Sequence, residues 1–352
     1  MNIKSMDYLL VFLPITFLSV IMGFQDPTIL FVISILSIIP LASKMGEATE
    51  ELAESLGGQI GGLISAAFGN AAELIIALLA INKGLLELVK ASLTGSIIGN
   101  LLFVFGMSIF VGGLKYKEQK FSSNLAGINS SMLLIAFMSI MIPSAFHIFE
   151  KDSAPGLANE VPLSLFISVL LLSAYVLSLV FSLKTHSYLF GEEKKARSSD
   201  KNIKQSIMVL LLATVLLAFV SEIFVGQVEH VAKNFGLTEI FIGAVIVAVV
   251  GNAAEHMSAV FFALKNNIEL SMNVTIGSSL QIAMFVAPLS VIIGNLMGKG
   301  MNLVFSPFEV LAVFASVLIV NEIASDGRCN WFEGVQLLVM YTIIAALLFF
   351  IR

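Results

Sequence analysis

Long apolar runs, separated by short polar stretches, follow one another along almost the whole chain. A helix that spans a bilayer needs about 20 mainly apolar residues. Eleven runs approach that length, and the longest polar stretch between them covers residues 184–204. The pattern predicts transmembrane helices at roughly 8–24, 27–44, 57–82, 86–113, 122–146, 161–184, 203–226, 238–264, 268–297, 305–324 and 331–351.

Composition agrees with a membrane protein. The chain is 58% hydrophobic and 12% charged, with a mean hydropathy of +0.97, whereas about a quarter of the residues in a soluble domain are charged. These values predict an all-α integral membrane protein in a lipid bilayer. The net charge of −5 gives no indication of a nucleic-acid partner. Cys329 is the only cysteine, which excludes a disulfide framework and a cysteine-based metal site.

The basic residues are distributed unevenly between the two sides of the predicted helix array. Thirteen of the nineteen lysines and arginines lie on the side that carries the N-terminus and the 184–204 loop. The positive-inside rule therefore predicts that this side is cytoplasmic. No small-residue cleavage site follows the first apolar run, so we expect a retained helix rather than a signal peptide. Without an organellar targeting segment, the expected location is a prokaryotic plasma membrane.

One five-residue motif, GNAAE, occurs twice, at 69–73 and 251–255. A shift of 182 positions superimposes the two copies without gaps, and it also superimposes the Gly-Ser pairs at 95–96 and 277–278. The copies lie on the third and eighth predicted helices. Because these are five helices apart, the second copy enters the membrane from the opposite side. Such inverted-topology repeats are typical of secondary transporters, whose site lies between the repeats at the membrane midplane.

The repeat predicts a division of the chain into an N-terminal helix and two five-helix halves. The predicted parts are the helix at 1–26, a first half at 27–184 with its repeat motif at 60–106, a linker loop at 185–202, and a second half at 203–352 with its motif at 242–288.

Each motif ends in a glutamate inside an apolar run, Glu73 or Glu255. A charge at the bilayer centre costs about 2.5–3.5 kcal/mol on insertion scales, so each glutamate needs a partner or a function. An asparagine three residues earlier, Asn70 or Asn252, shares the helix face of its glutamate. Gly69 and Gly251 precede them.

These two glycines can expose a backbone carbonyl or allow a kink. Together, the groups predict an all-oxygen site for a hard cation such as Ca²⁺, which takes six to eight oxygen ligands. The next helix of each repeat offers further oxygens, on Ser96, Asn100, Ser278 and Gln281.

The two carboxylates also predict a coupling mechanism. Two facing, ionised carboxylates in a low-dielectric site repel each other and are poorly solvated. One divalent cation neutralises both, and so can two protons. The hypothesis is a divalent cation/proton antiporter in which Glu73 and Glu255 are both cation ligands and proton carriers.

Several stretches together resemble the Ca²⁺/H⁺ exchanger (CAX) family of the Ca²⁺/cation antiporter superfamily. They are GNAAELI, GNAAEH, GSSLQIAMFVAP at 277–288 and DGRCNWFEG at 326–334. The resemblance implies an eleven-helix fold and export of Ca²⁺ in exchange for H⁺. It also implies that six residues lie at or beside the ion: Asn70, Glu73, Asn252, Glu255, Ser278 and Gln281.

The resemblance further implies that the second and seventh helices are gates. Glu50 and Glu229 near their ends are candidates for steering cations or stabilising a gate position, with a solvated helix end as the alternative. Glu222 is a proton-path candidate, with an interhelical hydrogen bond as its alternative. His256 either tunes the adjacent Glu255, relays a proton, or bonds a neighbouring helix.

Other functions remain open at this point. The same fold could exchange Na⁺ for Ca²⁺, or Na⁺, K⁺ or Mn²⁺ for H⁺, and a passive channel is a further alternative. An intramembrane hydrolase is remote, because the chain lacks HExxH and GxSxG motifs. We therefore expect a transporter rather than an enzyme, with no cofactor, with Ca²⁺ and H⁺ as its ions, and, by analogy, a homo-oligomer.

Overall fold

The computed structural model describes residues 3–153, 160–187 and 203–351. Most of the loop predicted at 184–204 lies outside the described residues. A 3-10 segment, Ile3–Val11, leads into the first helix. The N-terminal helix is α1 (Phe12–Ile21). The helices of the first half are α2 (Pro27–Leu56), α3 (Gly58–Phe68), α4 (Ala71–Lys83), α5 (Leu86–Ile98), α6 (Phe105–Tyr116), α7 (Ser123–Ser153) and α8 (Glu160–Val180).

The second half is also helical. Its helices are α9 (Ile203–Phe235), α10 (Glu239–Phe241), α11 (Ala248–Gly251), α12 (Ala253–Leu264), α13 (Ile268–Gln281), α14 (Ala287–Leu296), α15 (Pro307–Ile323) and α16 (Trp331–Phe350). Within the described residues, four π-helical segments join consecutive helices or extend one, at Gly99–Val104, Phe181–Thr185, Ile242–Val247 and Ile282–Val286.

Eight helices in the described ranges are long and apolar enough to cross a membrane. One further pair, Glu239–Gly251 with Ala253–Leu264, is bent by 63°. The shorter helices Asp7–Ile21 and Pro307–Ile323 coincide with the two remaining predicted runs. The all-α membrane fold is therefore confirmed, whereas the number of eleven crossings stays a prediction.

Two helices extend well beyond the apolar runs that predicted them. The second and seventh runs were predicted to end near 44 and 226, but α2 continues to Leu56 and α9 to Phe235. The polar tail of α2, rich in Glu, Ala and Leu, consists of strong helix formers, so the helix does not stop where hydropathy falls. It stops at Gly57, whose φ of 60° ends the helix.

Local signals in the sequence set several helix ends. Asp26 accepts hydrogen bonds from the backbone N–H groups of Thr28 and Ile29, and Pro27 occupies the first helical position of α2. Gly84, with a left-handed φ of 83°, ends α4. Ser306 caps α15 through a capping box with Glu309.

The two long helices α2 and α9 pack against each other along their length, with Phe31 and Phe224 stacked at 4.9 Å between ring centroids. The N-terminal helix α1 joins this pair. Buried Thr16 contacts the Ser37 hydroxyl at 3.0 Å, and Phe17 stacks on Phe219 at 4.6 Å. Each long helix also packs on a motif helix of the other half: α2 contacts α12 and α9 contacts α4.

A short antiparallel ladder joins the two halves at one end of the bundle. Strand β1 (Glu118–Lys120) pairs with β2 (Arg328–Asn330), with Gln119 opposite Cys329. The buried Gln119 amide donates to the Ala263 carbonyl and thereby fixes the end of α12. Apolar periodicity does not predict strands this short.

Candidate functional site

The helix that carries each GNAAE motif is broken at its asparagine. Asn70 has φ −106° and ψ 31°, and Asn252 has φ −96° and ψ 10°, so neither continues the helix before it. Glu73 and Glu255 therefore lie in the first turn of α4 and of α12. Negative charge is favoured there by the helix dipole.

Each motif asparagine bonds to a serine of the other half. The Ser278 hydroxyl lies 3.1 Å from Asn70 Oδ1, and the Asn252 amide donates to Ser96 Oγ at 2.9 Å. The two bonds are related by the 182-residue shift, because Ser96 corresponds to Ser278 as Asn70 corresponds to Asn252. The two halves thus meet at a polar centre that is built twice from equivalent residues.

The two glutamates differ in their partners. Ser278 Oγ donates to Glu255 Oε2 at 2.6 Å. Glu73 Oε1 is buried and, within the described ranges, has no hydrogen-bond partner. Asn252 Oδ1 is in the same state. A buried oxygen without a partner costs about 1–3 kcal/mol, so these two oxygens are suited to a proton donor or a cation.

The glycines of the motifs let side chains of the other half approach the broken helices. A Cβ added at Gly251 would lie 3.3 Å from Glu73 Oε1, and one at Gly69 would lie 3.1 Å from Gln281 Oε1. The close approach of Glu73 to the second motif brings both carboxylates into one site.

A small cavity adjoins Glu73. It is lined by Glu73, Ile76, Ser92, Leu93, Ser96, Val247, Gly251 and Ile282. Ser92 was not among the predicted site residues. Its position one turn before Ser96 on α5 is the signal that could have identified it.

Further amides connect the site to its surroundings. The Asn70 amide donates to Gln281 Oε1, and the Asn100 amide donates to Ser278 Oγ at 3.1 Å. Buried His256 contacts Asn100 Oδ1 through Nε2 at 3.0 Å. His256 thus bonds the helical segment that carries Asn100, and Asn100 and Ser278 link it to Glu255. All eight predicted oxygen-bearing residues lie in this region.

The predicted gate residues lie elsewhere. The side chains of Glu50, Glu222 and Glu229 are exposed on the long helices α2 and α9. It is the backbone carbonyl of Glu222, not its carboxylate, that accepts a bond, at 3.2 Å from Lys83 Nζ. The structure therefore does not bring these three glutamates into the polar centre.

Another buried carboxylate, outside the polar centre, bonds to α5. Glu309 is 2% exposed and accepts from the Thr94 hydroxyl at 2.9 Å. Its burial excludes snorkelling to the membrane surface, and the capping box with Ser306 gives it a local partner. Hydropathy alone could not locate its partner, because Thr94 lies 215 positions away.

The donor set of the site consists of oxygens from carboxylates, amides and hydroxyls. In the described part of the chain, no group of three or more His, Cys, Asp or Glu side chains is arranged to hold a metal ion. Two carboxylates with neutral oxygens suit a hard cation that is bound and released, such as Ca²⁺, better than they suit zinc or copper.

Comparisons with known proteins agree on the type of molecule. A family model described as sodium/calcium exchanger protein matches residues 27–184 and 205–350. The chain is 44% identical to a Ca²⁺/H⁺ antiporter of Synechocystis, with 99% of each chain covered. It is also 44% identical to the Ca²⁺/H⁺ antiporter ChaA of Bacillus subtilis, with 90% of this chain and 91% of the relative covered.

Solved structures resemble this fold over the same length. The structure of native YfkE superimposes with a TM-score of 0.85 at 40% identity, covering 99% of both chains. The H⁺/Ca²⁺ exchanger CAX superimposes with a TM-score of 0.72 at 16% identity, covering 99% of this chain and 93% of the other. The latter similarity shows a shared fold.

Proposed function

Because the chain belongs to the family of sodium/calcium exchanger proteins, we propose that it is a secondary active transporter that exchanges Ca²⁺ for H⁺ across a membrane. Relatives that are 44% identical over nearly the full chain are Ca²⁺/H⁺ antiporters, which supports this choice of ions. The transporter relatives and the apolar helices support an integral membrane protein rather than a soluble enzyme.

One observation carries the assignment of the site. Two glutamates from opposed repeats lie in one polar centre, where Glu73 Oε1 and Asn252 Oδ1 are buried without a partner in the described ranges. We assign Glu73 and Glu255 as the groups that bind either Ca²⁺ or protons. The supporting oxygens belong to Asn70, Asn252, Ser96, Ser278, Gln281 and Asn100.

Charge neutralisation links the two ions. With both carboxylates ionised and no cation bound, two like charges share a poorly solvated site. One Ca²⁺ or added protons remove that cost. The switch that exposes the site to the other side of the membrane therefore has a low free-energy cost only when Ca²⁺ or protons are bound. This condition couples Ca²⁺ movement in one direction to proton movement in the other.

The hydroxyl of Ser278 supplies a link between protonation and the cation ligands. It has one hydrogen and two acceptors within reach, Glu255 Oε2 and Asn70 Oδ1. When Glu255 is ionised, the hydroxyl points to it and leaves the Asn70 oxygen for the cation. When Glu255 is protonated, it donates to Ser278, and Ser278 then donates to Asn70. Protonation thus withdraws an oxygen ligand from the cation.

The distribution of basic residues supports the orientation that we propose. The excess of basic residues on the side of the 184–204 loop supports a cytoplasmic position for this loop and for the N-terminus. In a prokaryotic plasma membrane, protons that enter the cell down their gradient would drive the export of Ca²⁺.

The first test uses acidified inside-out vesicles with a pH-sensitive dye inside them. Addition of Ca²⁺ should release protons from vesicles that carry the wild-type protein and not from those that carry Glu255→Gln. Glu322→Gln is a matched control, because Glu322 is exposed at the end of α15. If Na⁺ or K⁺ releases protons and Ca²⁺ does not, the proposed substrate is wrong. If Glu255→Gln releases as many protons as the wild type, the assigned site is wrong.

A further inference from the structure

An apolar cavity lies between helices of both halves, apart from the polar centre. Its walls are formed mainly by α5 and α7 of the first half and by the π segment Ile282–Val286, α14 and α15 of the second. Every lining residue is buried except Val310, which is partly exposed on α15. The burial of the walls closes the cavity to lipid chains, and Val310 marks the side from which a small molecule in the bilayer can enter.

The sequence repeat explains why the cavity exists. Two of its wall residues, Ala283 and Ala287, correspond to Leu101 and Phe105 under the 182-residue shift. Both counterparts are 0% exposed, so the first half fills the equivalent space with an isobutyl group and a phenyl ring. Bulkier residues on the facing helices take up only part of the space that the two alanines leave. We call the cavity beside Ala283 and Ala287 the alanine pocket.

The walls of the alanine pocket offer a water molecule few polar partners. Apart from Thr94 and Glu309, all lining side chains are apolar. The Thr94 hydroxyl donates to Glu309 Oε1 at 2.9 Å, and Glu309 Oε2 accepts from the Ser306 backbone N–H at 2.9 Å. A buried water needs two to four polar partners, whereas apolar cavities stay dry and bind apolar molecules such as benzene or xenon.

A dry cavity favours an apolar occupant for a physical reason. Wall atoms that face a void lose their dispersion contacts, and a molecule of the right shape restores them. Because lipid chains are as apolar as the walls, the gain comes from filling the void and not from leaving water. The group that Ala287 lacks relative to Phe105 is a phenyl ring, which sets the size of the occupant.

We propose that the alanine pocket binds a small apolar molecule of about the size of a benzene ring. The pocket shares one wall residue, Leu93, with the cavity beside Glu73. Ile97, one turn further along α5, is also in its wall. An occupant therefore contacts α5 before and after Ser96 and restrains the turn that contains it. An occupied pocket slows exchange, and only this consequence rests on the proposed function.

Substitutions that copy the first half should fill the pocket. Ala283→Leu introduces the side chain of Leu101, and Ala287→Leu introduces a group smaller than the ring of Phe105. Extra atoms in a well-packed core cost stability, whereas these atoms enter a void, so we expect both variants to fold. Ala346→Leu is the matched control, because it adds the same atoms at an exposed position of α16.

The first measurement is the melting temperature of the purified protein in detergent, with and without benzene. A ligand that binds only the folded state stabilises it by mass action. At a benzene concentration ten times Kd, the wild type and Ala346→Leu should gain about 2 °C relative to Ala283→Leu and Ala287→Leu. The effect of benzene on the micelle is common to all four proteins. An equal response of the wild type and a folded, filled variant would overturn the proposal.

A second compound makes the test independent of the variants. The larger ring 1,3,5-trimethylbenzene has the same apolar character but exceeds the space that a phenyl ring would fill. It should leave the melting temperature of the wild type without the gain that benzene gives. Equal gains with the two compounds would mean that neither binds in the alanine pocket.

Exchange in vesicles tests the consequence for transport. Benzene at the same multiple of Kd should slow exchange by the wild type about twofold or more, as expected of a ligand that favours one conformation. It should leave Ala283→Leu at the rate that this variant has without benzene. Slowing in both proteins, or in neither, would refute the link to transport. If Ca²⁺ drives no exchange even without benzene, the proposed function fails, and the melting temperatures still decide whether the pocket binds.

Discussion

The two GNAAE motifs have the same five residues and opposite hydrogen-bond states. In the first motif, Asn70 uses its amide nitrogen and its oxygen, and the Glu73 carboxylate has an unpartnered buried oxygen. In the second, Glu255 is bonded to Ser278, and it is the Asn252 oxygen that has no partner in the described ranges. One residue of each pair is therefore left to bind an ion.

Two positions outside the motif account for this difference. Gln281, the partner of Asn70, corresponds to Gly99 in the other copy, and His256, which bonds Asn100, corresponds to Leu74. These polar side chains are present only around Ser278 and Glu255. The two backbone repeats thus form an asymmetric site, which we call polarised. Most hydrogen bonds between neutral groups lie on the Glu255 side, and the cavity lies on the Glu73 side.

The largest expected effect comes from neutralising either glutamate. Glu73→Gln and Glu255→Gln should each abolish exchange and Ca²⁺-dependent stabilisation, which is about 2.7 kcal/mol at a Ca²⁺ concentration 100 times Kd. Without Ca²⁺, Glu73→Gln should raise the melting temperature more than Glu255→Gln does, because Glu73 alone has the unpartnered oxygen. Melting curves of purified protein with and without Ca²⁺ measure both effects.

An equal rise in melting temperature for the two variants would show that the different hydrogen-bond states have no energetic consequence. Glu322→Gln controls for the general effect of removing a glutamate charge, since its side chain is exposed.

The second-largest expected effect is a difference in exchange rate between alanine variants of the two equivalent serines, Ser278 and Ser96. Ser278 contacts Asn70, Glu255 and Asn100, whereas Ser96 accepts a single bond from Asn252. Each group left without a partner costs about 1–3 kcal/mol. Ser278→Ala should therefore lower the exchange rate by about 10- to 100-fold and Ser96→Ala by less than about 10-fold. Initial rates in vesicles test this, and equal losses would contradict the polarised site.

The sequence predicts the parts of this molecule that depend on composition and spacing. Apolar runs located the helices, and the 182-residue repeat grouped Asn70, Glu73, Asn252 and Glu255 before their contacts were known. Spacing along one helix is fixed by its geometry, so residues three apart share a face wherever the helix lies.

The state of the molecule could not be predicted in this way. Ile60 and Ile242 are the same residue at equivalent positions, yet one is 60% and the other 0% exposed. The exposure of the Glu222 side chain and the burial of the Glu309 side chain also depend on which helices lie beside them. Such differences arise from the placement of whole helices, which side-chain periodicity does not encode.

A smaller effect should follow from removing the extra amide. Gln281→Leu deprives the Asn70 amide nitrogen of its acceptor, and coupling energies between such contacting residues are about 0.5–3 kcal/mol. We expect an increase in KM for Ca²⁺ of about 3- to 10-fold. A double-mutant cycle with Asn70→Ala measures the coupling, and near-additive losses would argue against a functional contact.

The converse substitution sharpens the same comparison. A Cβ added at Gly99 meets nothing within 4 Å, so Gly99→Gln can place an amide at the position that corresponds to Gln281. Its N–H would be available to the unpartnered Asn252 oxygen. If the amide causes the asymmetry of the site, the losses of exchange rate caused by Ser278→Ala and Ser96→Ala should become more similar in the Gly99→Gln background. The same initial rates in vesicles measure this.

The smallest expected effect concerns two equivalent lysines at the ends of the motif helices. Lys83 donates to the Glu222 carbonyl of α9, whereas Lys265 lies over the Phe261 ring of its own helix, 4.1 Å from the centroid. An exposed hydrogen bond is worth about 0.5 kcal/mol, or about a twofold change in rate.

Of these two lysine contacts, only that of Lys83 joins a motif helix to a long helix of the other half, so only this bond must break if α9 slides past α4. Lys83→Met should therefore change the exchange rate by about twofold, and Lys265→Met should change thermal stability slightly with the rate unaltered. Rates that shift equally in both variants would mean that α4 and α9 do not move relative to each other along this contact.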